Sequence, residues 1–383
     1  MIEIVPPDID IDFLGKRKLS AIISAILLPA CIIAAFVIGP NYGIDFKGGS
    51  DIILKFEDGV TDDDVRAAAT AVFSDANVQR FGEVERNEFL IQTQTVSVMN
   101  EQNLALITTE VEKLGEVRLD WSAEQPDRLD VVLGDGVSID AVTDAIKTTG
   151  LAVTATEGVG DASAGRFVVR FQDLSQTIRE SFKETLGDRF NPEEGLSRLE
   201  SVGPRVGEQL RTSGMLSLLA CFLFMLIYIA FRFDMRYAPA AILGLVHDII
   251  IVVGIVVAIR MEVNLTTVAA LLAIVGYSIN DTIVVFDRIR EQLASVGSED
   301  LEGVANRAIN ETLSRTVNTS ITTLLAVTAI FMFGGGLIKD FAFMLICGVC
   351  IGSYSSIFVC APMMVKTSKF LDTRRKSNEL LQA

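Results

Sequence analysis

Cysteine is missing from a long central part of this sequence, residues 41–212. A disulfide framework is therefore excluded there, even if this part faces an oxidising compartment. All five cysteines of the chain lie instead in apolar runs. Two of them, Cys347 and Cys350, have the spacing of a metal or redox pair, but no second ligand pair accompanies them. Their neighbours are Leu, Ile and Val, so packing is the favoured role and we expect no metal site.

Basic side chains are scarce in the same region. Residues 45–205 contain 31 acidic and 16 basic residues, and the whole chain of 383 residues has a net charge of −16. The rest of the chain is therefore close to neutral, and the acidity belongs to one polar insert. Nucleic acid binds basic surfaces, so this charge distribution argues against a nucleic-acid partner.

Long apolar runs are abundant. Half of the residues are hydrophobic and the mean hydropathy is +0.43, values typical of a membrane protein. The first run ends in Gly39-Pro40 and not in a small-residue cleavage site, so we expect a retained anchor. The sequence predicts a polytopic α-helical membrane protein with six transmembrane helices. The six runs are 19–38, 215–231, 237–259, 265–286, 316–333 and 341–365.

Lysine and arginine are distributed unevenly between the short loops. The loops of one side contain only Arg260 and Lys339. The excess on the opposite side places both termini in the cytoplasm and the insert outside, which in a bacterium is the periplasm. The residues of the basic side are Lys16, Arg17, Lys18, Arg232, Arg236, Arg288, Arg290, Arg307, Arg315, Lys366, Lys369, Arg374, Arg375 and Lys376.

This topology predicts how the chain is divided. The segment between the fourth and fifth helices, residues 287–315, is charged and amphipathic, and we expect it along the cytoplasmic surface. The predicted parts are a cytoplasmic N-terminus (1–18), a first transmembrane helix (19–40), a first periplasmic module (41–125), a second periplasmic module with a linker helix at 193–210 (126–212), five further transmembrane helices (213–365) and a cytoplasmic tail (366–383).

The insert contains an apparent repeat with a period of about 77 residues, from Gly59-Val60 to Gly136-Val137. Each copy reads as strand, turn, helix, strand, strand, helix. That order favours two tandem ferredoxin-like α+β modules of about 80 residues each. The alternative is chance, because any α+β domain supplies a similar order of elements.

Ionisable and amide residues interrupt the apolar runs at four places: Asp248, Asn280, Asp281 and Arg315. A charge at the bilayer centre costs about 2.5–3.5 kcal/mol on insertion scales, so such residues face a partner, the bundle interior or a water path. Asp281 and Arg315 approach from the same side at similar depth. They form either a proton relay, in which the carboxyl changes its charge, or a static ion pair between two helices.

Asp248 and Asn280 could have a purely structural role instead of a role in proton transfer. Asp248 follows His247, the single histidine of the chain, which could satisfy its carboxylate. His247 itself reads equally as a core residue. Asn280 could bridge two helices, as amides in membrane interfaces often do.

Several motifs follow one another in a fixed order. After the first run comes Gly43-Ile44-Asp45-Phe46-Lys47-Gly48-Gly49-Ser50, and before the second comes Ser201-Val202-Gly203-Pro204-Arg205-Val206-Gly207. The apolar part adds the dipeptide His247-Asp248, the stretch from Gly276 to Val285 and the pair Arg315-Thr316. Together these motifs resemble the SecF members of the SecD/SecF family of protein-export membrane proteins, whose signatures include G-[IL]-D-F-x-G-G-[ST] and V-G-P-x-[VI]-G.

The resemblance implies an RND-like half of six helices and an accessory role in the Sec translocon of the bacterial inner membrane. Such a protein is not an enzyme and has no cofactor, protons being its coupling ion. Its implied partners are SecD, SecYEG, unfolded preproteins and membrane lipid. With SecD it uses the proton motive force to draw preproteins out on the periplasmic side. By the same resemblance Asp281 and Arg315 take part in proton flow, with Asp248 a second candidate.

The insert departs from the family pattern, because SecF usually carries one periplasmic module and this sequence predicts two. Two other functions stay open. One is half of an RND-like, proton-coupled small-molecule antiporter, although the other outer loops, 260–264 and 334–340, are very short for a substrate cavity. The other is a passive scaffold that stabilises SecD or SecYEG.

Overall fold

A computed structural model of the chain separates it into two units, Met1–Gly43 with Gln209–Ala383, and Ile44–Glu208. The structure describes residues 6, 9–81, 86–97, 99, 101–122, 125, 127–134, 136–159, 165–234, 236–296 and 300–382. The predicted termini 1–18 and 366–383 fall partly outside them, as do the side chains of Arg375 and Lys376.

The helices are numbered along the chain: α1 Arg17–Val37, α2 Ile44–Lys47, α3 Asp62–Val72, α4 Glu101–Val111, α5 Ile139–Lys147, α6 Leu174–Leu186, α7 Pro204–Arg232, α8 Ala238–Ala258, α9 Leu265–Val296, α10 Leu301–Phe333, α11 Gly336–Ser355 and α12 Ala361–Gln382. The strands are β1 Asn41–Tyr42, β2 Gly49–Lys55, β3 Asn77–Phe81, β4 Glu88–Thr93, β5 Arg118–Trp121, β6 Arg128–Val132, β7 Val153–Gly158, β8 Arg166–Phe171, β9 Leu196–Val202 and β10 Glu262–Val263.

Six helices of the described chain are long and apolar enough to cross a membrane, as the sequence predicts. They are α1, α7, α8, α9, α10 and the continuous α11–α12. In the last of these a short π-helix, Ser356–Cys360, joins α11 to α12. Such π-turns inside α-helices are frequent at functional sites.

Residues 287–315 do not form the separate surface segment that the sequence predicts. They extend α9 to Val296 and begin α10 at Leu301, where the Asp300 side chain accepts a hydrogen bond from the Gly303 amide. These extensions keep strong helix formers and bury Ala305 and Ile309 in one apolar cluster with Phe286. This burial stabilises both extensions as helices.

The chain preceding α1 is fastened to α10 by two asparagines one helical turn apart. Asn310 Oδ1 accepts from the Ile11 amide and Asn310 Nδ2 donates to the Ile11 carbonyl, both at 2.9 Å. Asn306 Oδ1 accepts from the Phe13 amide at 2.9 Å. These amides pair with backbone groups as a neighbouring strand would, so Ile11 and Phe13 are held although they lie outside any helix or strand.

Close helix packing depends on glycines in the unit formed by Met1–Gly43 and Gln209–Ala383, which we name the membrane unit. A Cβ at Gly348 on α11 would lie 2.3 Å from Ile274 Cγ1 on α9, and a Cβ at Gly254 on α8 would lie 2.3 Å from Cys31 Cβ on α1. Small residues of this kind let helix backbones approach within the bilayer.

The unit Ile44–Glu208 contains two antiparallel four-stranded sheets, with strand orders β3-β4-β2-β9 and β5-β6-β8-β7. Every predicted strand and helix of the repeat is present among the described residues. The predicted linker helix at 193–210 is not continuous, because residues 196–202 form β9 by pairing with β2 and α7 begins only at Pro204.

Thr61 begins α3 with a capping box to Asp64. Hydrogen bonds from the Thr61 amide and hydroxyl, together with Arg189, hold the pKa of Asp64 below its usual range. This contribution to stability is present at neutral pH and is lost as the pH falls through that pKa.

Each sheet is completed by a helix and a strand from the other copy of the repeat. The first sheet packs on α3 and α6, and its edge strand is β9, so α6 and β9 come from the second copy. The second sheet packs on α5 and α4, and its edge strand is β5, so α4 and β5 come from the first copy. We name the first assembly module one and the second module two.

Module one has the strand order of a ferredoxin-like fold, and module two is a circularly permuted version inserted between β4 and α6. The structure therefore divides the insert differently from the tandem modules 41–125 and 126–212. The short connection between β5 and β6 explains the difference. It lets these strands pair as a hairpin, in register from Arg118↔Val132 to Trp121↔Leu129. Strand β2 is then left free to pair with β9.

A pair of core substitutions tests this exchange. Phe182 on α6 is fully buried beside Phe56 in module one, whereas Ile107 on α4 is fully buried in module two. We expect Phe182→Ala to destabilise module one by about 3–5 kcal/mol and Ile107→Ala to destabilise module two by about 2–5 kcal/mol. Hydrogen exchange should rise in β2 and β4 for the first variant, and in β6 and β8 for the second. The reverse pattern would restore the tandem division.

Candidate functional site

Asp281 lies in the interior of the helix bundle, where its side chain is 2% exposed. Ser353 Oγ on α11 donates to Asp281 Oδ2 at 3.3 Å. Ser353 also shares a 2.7 Å hydrogen bond with Ser320 on α10, and Tyr277 donates to Ser320 at 3.1 Å. The carboxylate therefore belongs to a chain of hydroxyl groups that connects α9, α10 and α11.

Arg315 does not form the predicted contact with Asp281. No ion pair within 4.0 Å joins them in the described chain, although the charge of Arg315 still acts on the carboxylate electrostatically. The cause is the phase of α10: Thr316 occupies the inward position and is buried, so the preceding residue Arg315 is exposed. The structure thus lacks the static ion pair, which was the alternative to a proton relay.

Asn280 is also exposed and does not bridge helices within the described residues. It lines a cavity of about 770 Å³ between the extended parts of α9 and α10, which we name the α9–α10 cavity. Asp287, Glu311 and Arg315 line the same cavity. Asp287 Oδ1 is buried there without a hydrogen-bond partner among the described residues, although Arg290 lies 3.2 Å from it.

Asp248 occupies a second buried position, and its side chain is fully buried. His247 Nδ1 lies 2.8 Å from Asp248 Oδ1. Ser278 Oγ on α9 and Ser355 Oγ on α11 both donate to Asp248 Oδ2, each at 2.6 Å. On its other side His247 Nε2 lies 3.1 Å from Ser24 Oγ of α1. His247 therefore satisfies the carboxylate, as one of the two sequence interpretations predicts.

The serines of both clusters are the residues that sequence reasoning missed. Ser24, Ser278, Ser353 and Ser355 are common residues in membrane helices, and nothing local distinguishes a serine that binds a carboxylate from one that packs. Ser353 and Ser355 are two residues apart on α11, so their side chains face opposite directions. That spacing is the one available indication that two different groups are bound.

The two glycine motifs, at Gly48-Gly49 and Gly203-Pro204, pack against each other within the unit Ile44–Glu208. Gly48 and Gly49 have φ of +76° and +129°, and a Cβ at Gly49 would lie 2.4 Å from the Thr93 carbonyl oxygen. A Cβ at Gly48 would lie 2.8 Å from Pro204 Cα, and Pro204 is the first residue of α7. The motif at Gly48-Gly49 and the motif at Gly203-Pro204 therefore pack against each other where β2 and α7 begin.

The remaining motif positions have simpler surroundings. Phe46 on α2 is buried. Asp45 precedes it on the same helix. Gly43, in the membrane unit, donates its amide to the Val263 carbonyl at 3.0 Å, next to the parallel pairing of β1 with β10. These residues organise the chain after α1 and carry no evident chemistry.

Two family profiles match this chain. "Protein export membrane protein SecD/SecF, C-terminal" matches residues 182–369, and "SecD/SecF GG Motif" matches residues 33–60. The protein translocase subunit SecF of Calditerrivibrio nitroreducens is 35% identical over 367 residues, 95% of this chain and 96% of that relative. The chain belongs to the SecD/SecF family.

Other members of the SecD/SecF family extend the comparison. The SecF subunit of Magnetococcus marinus is 36% identical, with 92% of this chain and 91% of the relative covered. The SecDF translocase subunit of Brucella abortus is 31% identical over 95% of this chain, which covers only 38% of that longer protein. The crystal structure of SecDF from Thermus thermophilus, a translocon-associated membrane protein, superposes with a TM-score of 0.63 at 28% identity, covering 94% of this chain and 39% of that one.

Proposed function

We propose that this protein is an accessory subunit of the Sec translocon in the bacterial inner membrane, which uses the proton motive force to promote late preprotein movement. One observation carries the coupling: Asp281 is buried in the bundle and is held by a neutral serine, with Arg315 outside hydrogen-bonding distance. Protons would be the coupling ion, and no cofactor is required.

The buried position of Asp281 has an energetic consequence. An ionised carboxylate in a low-dielectric bundle carries a desolvation cost that one serine hydroxyl at 3.3 Å offsets only in part. An inward-moving proton releases about 2.3 kcal/mol per 100 mV of membrane potential. Protonation of Asp281 removes its charge and its attraction to Arg315, which lets α9, α10 and α11 adopt a second packing. Arg315 then acts on the carboxylate from the protein surface, not as a fixed partner.

The exposed face shared by α9 and α10 supports SecD as the partner. Five small or polar residues of α9 and α10 are exposed, and a Cβ at one of them, Gly276, would meet open space. Polar groups of this kind are costly against lipid and pack against other helices. Relatives in which both halves form one chain carry the SecDF name. The five residues are Gly276, Asn280, Arg315, Asn318 and Thr322.

A bulky residue on this face tests the assignment. We expect Gly276→Leu to reduce co-purification with SecD by about tenfold or more, equivalent to about 1.4 kcal/mol, because the new side chain occupies the space of the partner helix. Quantitative immunoblotting after mild detergent extraction measures this ratio. The control is Leu219→Phe, which adds volume to an exposed site on α7. Equal SecD recovery from both variants would place SecD elsewhere.

We also propose an orientation of the protein in the membrane and partners other than SecD. Both termini would be cytoplasmic and the unit Ile44–Glu208 periplasmic, where its acidic surface would meet unfolded preproteins. SecYEG would be the channel that the SecD complex joins, and lipid would cover the apolar faces of α1 and α7. Co-purification of SecD and SecYEG from native membranes tests this, and their absence would favour a proton-coupled transporter of small molecules.

A further inference from the structure

The cluster around His247 and Asp248 is not used by the Asp281 mechanism. Within the described contacts no hydrogen bond joins the two carboxylates, because Ser355 binds one and Ser353 binds the other. Yet the cluster connects four membrane helices: α1 through Ser24, α8 through His247 and Asp248, α9 through Ser278, and α11 through Ser355.

The hydrogen atoms of this cluster can be assigned from its geometry. Both oxygens of Asp248 accept: Oδ2 from the two serine hydroxyls and Oδ1 from His247 Nδ1–H. This leaves His247 Nε2 without a proton, so it accepts from the Ser24 hydroxyl at 3.1 Å. The cluster then carries one negative charge within the bundle, and every polar atom named here has a partner.

The same geometry accepts one more proton without any loss of partners. A proton on Nε2 donates to Ser24 Oγ, and the Ser24 hydroxyl turns to a backbone carbonyl one helical turn earlier, as serines in helices do. The cluster becomes neutral, and the hydrogen bond between α1 and α8 becomes charge-assisted and about twice as strong. An arrangement satisfied in both states is suited to binding and releasing a proton.

We propose that the His247–Asp248 pair is a second proton-binding site of this chain and that Ser24 transmits its charge state to α1. The proton belongs to the pair as a whole, since adjacent groups titrate together. This inference rests on the proposed function for its purpose, because a proton site coupled to α1 serves a proton-driven subunit.

The surroundings of the pair contain few competing charges. Hydroxyl groups of Ser24, Ser278 and Ser355 face it from α1, α9 and α11. The π-helix contributes Cys360, a titratable group that accepts from Thr282 Oγ1 at 3.7 Å and lies close enough to interact with the charge of Asp248. The nearest charged residue of α1 before Ser24 is Lys18, almost two helical turns away.

The presence of a single histidine makes the test direct. The full chain, labelled with ¹⁵N in the histidine ring and placed in lipid nanodiscs, gives ring signals from His247 alone. We expect Nδ1 to be protonated and Nε2 unprotonated at high pH, and Nε2 to gain a proton as the pH is lowered. In Ser24→Ala the protonated fraction at a given pH should fall severalfold, because the acceptor for Nε2–H is gone.

Two further variants separate this inference from the proposed function. Asp281→Asn should leave the histidine titration unchanged, whereas Asp248→Asn should abolish it or move it by more than one pH unit. Ring signals that stay in one form from pH 5 to 9 would overturn the second site and leave the Asp281 mechanism intact. A histidine titration that is unaffected by Ser24→Ala would overturn the coupling to α1.

Discussion

Replacing Asp281 with Asn is expected to abolish the proton-dependent stage of preprotein export while the protein still folds and inserts. Asparagine keeps the size of the side chain and a hydrogen bond to Ser353, but it cannot exchange a proton. We expect the stimulation of export by the proton motive force to fall by about tenfold or more, equivalent to a loss of about 1.4 kcal/mol of coupling. Preprotein export into inverted membrane vesicles or proteoliposomes that contain SecD and SecYEG, assayed with and without an uncoupler, measures this stimulation.

Two matched variants show whether the effect belongs to the buried acid. Asp287→Asn removes a carboxylate almost two turns away on the same helix, where it pairs with Arg232 at 2.6 Å and Arg290 at 3.2 Å. It should leave export coupling nearly unchanged, because this side chain is partly exposed and ion pairs of that kind contribute only about 0–1 kcal/mol. Ser353→Ala keeps the acid and removes its hydroxyl partner, so it should alter the pH dependence of coupling and not abolish it.

Full proton-dependent export by Asp281→Asn would leave a passive scaffold as the function of this chain. Equal loss in Asp281→Asn and Asp287→Asn would assign the effect to the charge of α9 as a whole. The Asp281 variant should also retain SecD in co-purification, because the exposed face around Gly276 is unchanged. Loss of SecD would indicate misfolding and not a broken proton switch.

Two deletions of similar length in the insert between α1 and α7 are expected to have opposite outcomes. Replacing residues 97–171 with a short Gly-Ser linker removes module two and leaves module one complete, including α6 and β9. Deleting residues 126–190 follows the tandem division of the sequence. It removes α6, with Ile178 and Phe182, from the core of module one, and it leaves α4 and β5 without their sheet.

The physical reason is the size of the core that each deletion exposes. Loss of one large buried side chain costs about 3–5 kcal/mol, which approaches the whole stability of a small domain. Removing all of α6 therefore unfolds module one as well. We expect the first deletion to accumulate in membranes near the wild-type level and to resist protease, and the second to be degraded. Comparable protease resistance of the two proteins would contradict the exchange of helices between the modules.

Much of this protein can be predicted from the sequence by itself. Six apolar runs determine six membrane helices, because length and hydropathy are local properties. The strands and helices of the insert follow from alternation and from capping residues such as Thr61 and Ser138. Glycine and proline motifs identify the SecD/SecF family, and the cost of burying charge marks Asp248 and Asp281 as candidate functional residues.

Only the tertiary structure decided which of these parts belong together. Helices α4 and α6 are both amphipathic and suit either sheet, so their exchange depends on strand pairings between distant residues such as Gly49 and Val202. Arg315 and Thr316 are adjacent in the sequence, yet the phase of α10 buries Thr316 and exposes Arg315. Both buried carboxylates accept from serines on other helices, and Asp248 is also paired with His247 on its own helix. A sequence states the chemistry of each residue, but contacts between distant residues arise only when helices and strands pack in three dimensions.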